Sequence, residues 1–213
     1  MRDTGGVDDL IDRARSLLQG GERALLGICG SPGAGKSTLA RRIADELGPV
    51  AALVAMDGFH LQDYELARLG RQDRKGAPDT FDVDGYVALL RRLREDTDRT
   101  IYAPAFDRDR EISLAGAVPV LPGHRLVLTE GNYLLLDAPG WRDVPGLLTE
   151  CWFVEVDDDV RRERLVARHV RHGRSVQAAT EWVQRSDEAN ARLVAATRDR
   201  ADLVVATPAW MGR

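Results

Sequence analysis

The chain reads as an α/β protein built on a mainly parallel sheet. Three observations predict this. Short apolar runs recur at 24–29, 50–56, 126–129, 152–156 and 203–206. They alternate with segments of helical periodicity, the arrangement that βαβ units require. None of the runs shows strict apolar/polar alternation, as expected of strands covered on both faces.

In chain order, 8–19 (DDLIDRARSLLQ) sets Leu10, Ile11, Ala14, Leu17 and Leu18 at helical spacing, with Asp8 as a cap and Gly20-Gly21 as a stop. This places an N-terminal helix within 1–21. The run 24–29 (ALLGIC) is a buried strand, 36–47 a helix and 50–56 (VAALVAM) a second strand. Residues 84–95 form an amphipathic helix with Tyr86, Val87, Leu89, Leu90 and Leu93 facing inward. A short apolar run at 100–103 follows. Further strands are read at 126–129, 152–156 and 203–206, separated by helices at about 158–171 and 176–198. Two polar, Gly- and Pro-bearing stretches, 57–83 and 104–124, break the alternation and read as long functional loops. In an open sheet of this kind they gather at the carboxyl ends of the strands, where ligands bind.

At 213 residues the chain fits one domain, 1–213, with a core large enough to need no disulfides. The net charge of −4 excludes the overall basic footprint of a nucleic-acid binder. No apolar run reaches the length of a membrane span. Acidic residues early in the chain argue against a secretory signal, and Cys29 and Cys151 sit inside apolar runs as buried free thiols. A cytoplasmic location is expected. Of 30 basic residues only two, Lys36 and Lys75, are lysines, and only Asn132 and Asn190 are asparagines. A coding bias against Lys and Asn explains the scarcity. It also draws attention to the survivors, because Lys and Arg are not interchangeable where a compact ammonium is needed.

Gly30-Ser31-Pro32-Gly33-Ala34-Gly35-Lys36-Ser37 matches G-x-x-x-x-G-K-[ST] between a strand and a helix. Glycines let successive N–H groups converge on one anion, and the helix adds its positive N-terminal end. Lys36 supplies a mobile ammonium and Ser37 a hydroxyl for Mg²⁺. Ser31, Gly33, Ala34, Gly35, Lys36, Ser37 and Thr38 are therefore the expected ATP-phosphate residues. Glu130 ends a strand, the place of an acid that approaches Mg²⁺; a solvated strand-end carboxylate is the other reading. Asp57 follows a strand in Met56-Asp57-Gly58-Phe59-His60. It suits a base facing the γ-phosphate, or equally a turn aspartate in an Asp-Gly pair. Arg161, Arg164, Arg168 and Arg171 share one helical stripe, with Arg174 beyond, and form either a solvated face or a lid that brings guanidinium groups onto phosphate.

These segments together resemble the small P-loop kinases related to uridine kinase, phosphoribulokinase and pantothenate kinase, closest to a fructose-transport-system kinase-like branch. The resemblance runs from about 22 to 208. It rests on the phosphate loop, MDGFHL at 56–61, RKGAPDTFDVDGY at 74–86, PAFDR at 104–108, EGNYLLLD at 130–137 and HGRS at 172–175. It implies a parallel five-stranded P-loop fold with helices on both faces and an Arg-rich helical lid over about 160–175. It also implies transfer of the ATP γ-phosphate, with Mg²⁺, to a hydroxyl of a small metabolite. By resemblance Asp57 is the catalytic base, with Lys36 and Arg168 as catalytic cations. Ser37 and Glu130 face Mg²⁺, Arg164 and Arg168 close over ATP, and Pro208 lies near adenine. His60, Lys75, Asp82, Tyr102, Asp107 and Asn132 become acceptor ligands, although Lys75 also reads as a surface lysine. The resemblance also implies a homodimer as one assembly. Two other classes carry the same phosphate loop. A switch GTPase would need N-K-x-D, and neither asparagine precedes a lysine. An ATP-binding regulatory module with slow hydrolysis stays open on sequence alone.

Overall fold

The computed structural model describes residues 6–206. Five strands form one parallel sheet: β1 (Ala24–Cys29), β2 (Ala51–Ala55), β5 (Leu126–Gly131), β6 (Glu150–Glu155) and β7 (Leu203–Ala206), in the order β2-β5-β1-β6-β7. β1 and β5 pair through six residues, Ala24 opposite Leu126 to Cys29 opposite Gly131, and every residue of both is buried. This is why the sequence shows continuous apolar runs there.

The period of two sends alternate side chains to opposite faces. Leu26, Ile28, Leu126, Leu128, Trp152 and Val154 pack on one face with α1 (Val7–Ser16) and α2 (Lys36–Leu47). Leu25, Val127, Cys151 and Phe153 pack on the other with α4 (Val83–Glu95) and Trp141. The inward residues of α4 are the five that its spacing predicts. On this face the Tyr86 hydroxyl lies 2.7 Å from Thr129 Oγ1, which donates to the Val54 carbonyl at 2.8 Å. That pairing lets polar atoms sit inside the core without an orphaned partner. The remaining helices are α3 (Asp63–Leu69), α5 (Asp158–Arg171), α6 (Val176–Trp182) and α7 (Glu188–Ala195). Among the described residues, no helix is long and apolar enough to cross a membrane.

Three expectations change. The stretch 104–124 is not a loop: β3 (Ile101–Asp107) and β4 (Ile112–Val120) form an antiparallel hairpin. Its prolines are accommodated, Pro104 where the register shifts and Pro119 in a two-stranded sheet with open edges. The stretch 57–83 is ordered by short 3₁₀ turns and α3. The single helix expected over 176–198 is α6 and α7 joined by a π segment, Val183–Asp187. That wider turn re-aims Asp187 and Asn190 toward the cavity described next.

Candidate active site

The phosphate loop joins β1 to α2. Its glycines have separate reasons. Gly35 caps α2 at φ 96°, a left-handed value costly for other residues. Gly33 has φ 81°, and a Cβ there would stand 2.9 Å from Leu165 Cγ and 3.0 Å from the Arg161 carbonyl oxygen. The loop is thus packed directly against α5. No side chain caps α2, so its first N–H groups remain for an anion. Ala34 is buried and its N–H donates to the Ser31 carbonyl at 3.1 Å, closing the loop.

Lys36 is buried; its Nζ donates to the Ser31 carbonyl at 3.1 Å and to Asn132 Oδ1 at 2.7 Å. Ser37 Oγ donates to Glu130 Oε1 at 2.7 Å. Asp57 sits in a one-turn 3₁₀ helix (Met56–Phe59) directly after β2. Gly58 beside it does not serve flexibility. A Cβ there would stand 2.6 Å from the Pro104 carbonyl oxygen, so glycine lets the β3–β4 hairpin pass close over this turn. β5 lies between β2 and β1, which sets Asp57 two strand spacings, about 10 Å, from the strand that leads into the phosphate loop.

The two carboxyls of the site have opposite tendencies. Burial opposes ionisation of Asp57, but the His60 ring and the Arg108, Lys36 and Arg168 cations outweigh it, holding its pKa below the ordinary value. Glu130 is pushed up by burial and by the Asp57 charge. Burial likewise lowers Lys36 and His60. Opposed shifts of this kind suit the two carboxyls to different tasks.

These groups line one cavity of about 560 Å³. Gly33, Gly35, Lys36, Ser37 and Thr38 form its phosphate end, with Glu130 and Asn132 beside them. Arg164 and Arg168 enter from α5, and Arg174 from beyond its end, its guanidinium 4.1 Å from the centre of the Trp182 ring. His60, Lys75, Phe81 and Phe106 also line it. The His60 Nδ1 lies 2.8 Å from the Asp57 carbonyl oxygen, and its ring centre is 4.7 Å from that of Phe106. Lys75 is no loose surface lysine: its Nζ pairs with Asp63 at 2.8 Å and Glu111 at 3.0 Å.

Three expected acceptor ligands lie outside the cavity. Asp82 caps α4, its Oδ1 accepting from the Gly85 N–H at 2.9 Å. Tyr102 points outward from β3 and is 62% exposed. Asp107 closes the hairpin turn, its Oδ1 accepting from the N–H groups of Asp109 and Arg110. On α5, Arg161 is buried in ion pairs with Asp158 and Glu188, and Arg171 is exposed to solvent. Pro208 lies outside the described residues. Arg108, Glu111 and Asn190 are cavity residues that the sequence reading did not assign. Asn190 had a signal, its scarcity, and Arg108 stood at the end of the quoted PAFDR segment.

The donor set fits Mg²⁺·ATP. Ser37 and Glu130 offer two adjacent hard oxygen ligands beside the phosphate cradle. Among the described residues no group of three or more His, Cys, Asp or Glu side chains converges as a metal cage. Mg²⁺ is bound in just this way, by one or two protein oxygens with the remainder from phosphate and water.

Residues 25–209 match the model of the Phosphoribulokinase / Uridine kinase family. The chain is 34% identical over 214 residues to a Schizosaccharomyces pombe protein named "Putative uridine kinase C227.14", covering 95% of this chain and 91% of that one. It is 39% identical over 125 residues to the Aspergillus versicolor "ATP-dependent kinase-like protein notR'", covering 55% of this chain and 73% of that one. Among solved structures, a Silicibacter sp. TM1040 protein called a "putative fructose transport system kinase" superposes with a TM-score of 0.87 at 39% identity, covering 95% of this chain and all of that one. The chain belongs to the phosphoribulokinase and uridine kinase family, and its phosphate loop and paired oxygen donors are those of an ATP- and Mg²⁺-dependent phosphotransferase.

Proposed function

We propose that the protein transfers the γ-phosphoryl group of ATP to a hydroxyl of a small metabolite, a sugar, nucleoside or pantothenate-like molecule, with Asp57 as general base. One observation carries this: an ionised, half-buried Asp57 shares a single cavity with Lys36 and the Ser37–Glu130 pair, across one strand from the phosphate loop. Asp57 takes the acceptor's hydroxyl proton as the oxygen bonds to the γ-phosphorus. The bond from phosphorus to the bridging oxygen breaks, and ADP leaves with that electron pair. Lys36 and Arg168 stabilise the charge that spreads over the phosphoryl oxygens. Mg²⁺, held by Ser37 and Glu130, would screen the phosphates from one another. Asn132 fixes the Lys36 ammonium rather than binding acceptor, and His60 and Lys75 face the acceptor. Two reduced, buried thiols support a cytoplasmic setting.

The experiment is a coupled ADP-release assay over nucleosides, sugars, sugar phosphates and pantothenate. Acceptor-stimulated turnover supports the kinase reading. Tight Mg·ATP binding without stimulation by any acceptor would establish the ATP-binding regulatory module instead.

A further inference from the structure

The turn between β3 and β4 reaches into the acceptor half of the cavity. Arg108 Nη2 donates to Asp57 Oδ2 at 2.5 Å. Three residues on, Glu111 Oε2 lies 3.0 Å from Lys75 Nζ. Asp109, between them, is 3.6 Å from His172 at the end of α5. A single turn therefore touches the base, the acceptor wall and the lid. Its shape is not one the backbone favours. Among the described residues Glu111 is the one non-glycine residue with positive φ, 55°, a conformation that costs about 1 kcal/mol. The hairpin stem is packed on the turn that carries Asp57, through the close Gly58–Pro104 approach. The tip is consequently aimed at the base by packing and clamped by ion pairs.

The partners in these pairs differ in freedom. The Lys75 side chain is 15% exposed, while its carboxylates Asp63 and Glu111 are 67% and 59% exposed. The ammonium is fixed and its counter-charges can swing into water. Arg108 is held to Asp57, whose oxygen an acceptor hydroxyl must reach. The Arg108 side chain is 44% exposed, so water can hydrate the displaced guanidinium, but only another anion restores a charge-assisted pair of equal strength.

We propose that Arg108 is a positioning residue that masks Asp57 until an acceptor bearing its own anionic group, recognised by Arg108 and Lys75, opens the pair. The proposal rests on Asp57 being the base. Water cannot offer the displaced guanidinium an anion, so the masked state suppresses wasteful hydrolysis. In that side reaction a water proton would go to Asp57, the water oxygen would bond to the γ-phosphorus, and ADP would leave with the bridging electron pair.

The test compares wild type, Arg108→Gln, Arg108→Lys and the Asp57→Asn/Arg108→Gln double variant. Acceptor-free Mg·ATP hydrolysis rises about tenfold in Arg108→Gln, stays within about threefold of wild type in Arg108→Lys, and falls back in the double variant. Unchanged melting temperature and ATP affinity in Arg108→Gln separate this from a folding defect. Hydrolysis that is unchanged or lower in Arg108→Gln overturns the mask. If no acceptor stimulates ADP release by the wild type, the kinase reading falls with it, whereas acceptor-stimulated wild-type turnover with no rise in hydrolysis in Arg108→Gln removes the mask alone. Hydroxy acids and polyols of two to six carbons, matched in pairs, then probe the acceptor. Greater stimulation by the acids in wild type, lost in Arg108→Gln, supports the anionic acceptor. Equal response to both members of every pair, including none, overturns it.

Discussion

Gly33→Ala probes the contact between the phosphate loop and α5. Two separate penalties arise. The left-handed backbone at φ 81° costs an L-residue about 1 kcal/mol. The new methyl also meets Leu165 Cγ at 2.9 Å, the Arg161 carbonyl oxygen at 3.0 Å and Arg161 Cγ at 3.1 Å. One of these atoms is α5 backbone, so the clash is relieved by moving the helix, an overpacking cost of about 2 kcal/mol. The total of about 3 kcal/mol lowers Tm by roughly 6–12 °C in a domain this size. Gly70→Ala is the control. Gly70 ends α3 with φ 64° and has nothing within 4 Å of the added Cβ. It carries the backbone penalty alone, a shift of about 2–4 °C. Thermal denaturation measures both variants, and nucleotide titration follows the movement of Arg164 and Arg168 with α5, with ATP affinity weakened in Gly33→Ala only. Equal melting shifts in the two variants would refute close packing of α5 on the loop.

Three further outcomes follow from the same geometry. Lys75→Met raises the acceptor KM by about tenfold or more and leaves ATP affinity unchanged if its cavity-lining ammonium binds the acceptor as proposed; equal loss for both substrates contradicts that role. Glu130→Gln raises the Mg²⁺ concentration for half-maximal turnover about tenfold. In wild type that requirement grows as pH falls, starting above the range of an ordinary carboxylate because burial favours the protonated form, and the Gln variant shows no such pH dependence. Burial pushes the Cys29 thiol up to about 11 and Cys151 well above its ordinary value. At pH 8 about 10⁻³ of Cys29 is thiolate, so native protein resists alkylation until pH approaches 11, and denatured protein labels at both cysteines; rapid labelling of folded protein would contradict the burial.

The parallel sheet was legible because strands buried on both faces leave uninterrupted apolar runs, and the phosphate loop because its chemistry is local. The hairpin was not. Pro104 and Pro119 act as breakers in most strands, and only the register shift and the open edges make room for them here. Tyr102 shows a reading that the period of two could have corrected: Ile101 and Ala103 are buried, so the residue between them points outward. Asp82 sits three residues before Gly85 at a helix start, a capping position that local spacing also reveals. Arg108 and Glu111 are different. Their partners Asp57 and Lys75 are 51 and 36 residues away, joined to them by how the hairpin packs, which no local pattern encodes. Composition proved the better guide there: Lys36, Lys75, Asn132 and Asn190, all the members of two scarce residue types, line the same cavity.

The central claim is that Asp57 takes the proton from a hydroxyl acceptor. The most direct measurement is ADP release by Asp57→Asn with the best acceptor, alongside its ATP affinity by titration. The account predicts a kcat lower by about 10²–10⁴, with ATP affinity within about threefold of wild type. A variant that keeps the wild-type rate would contradict it.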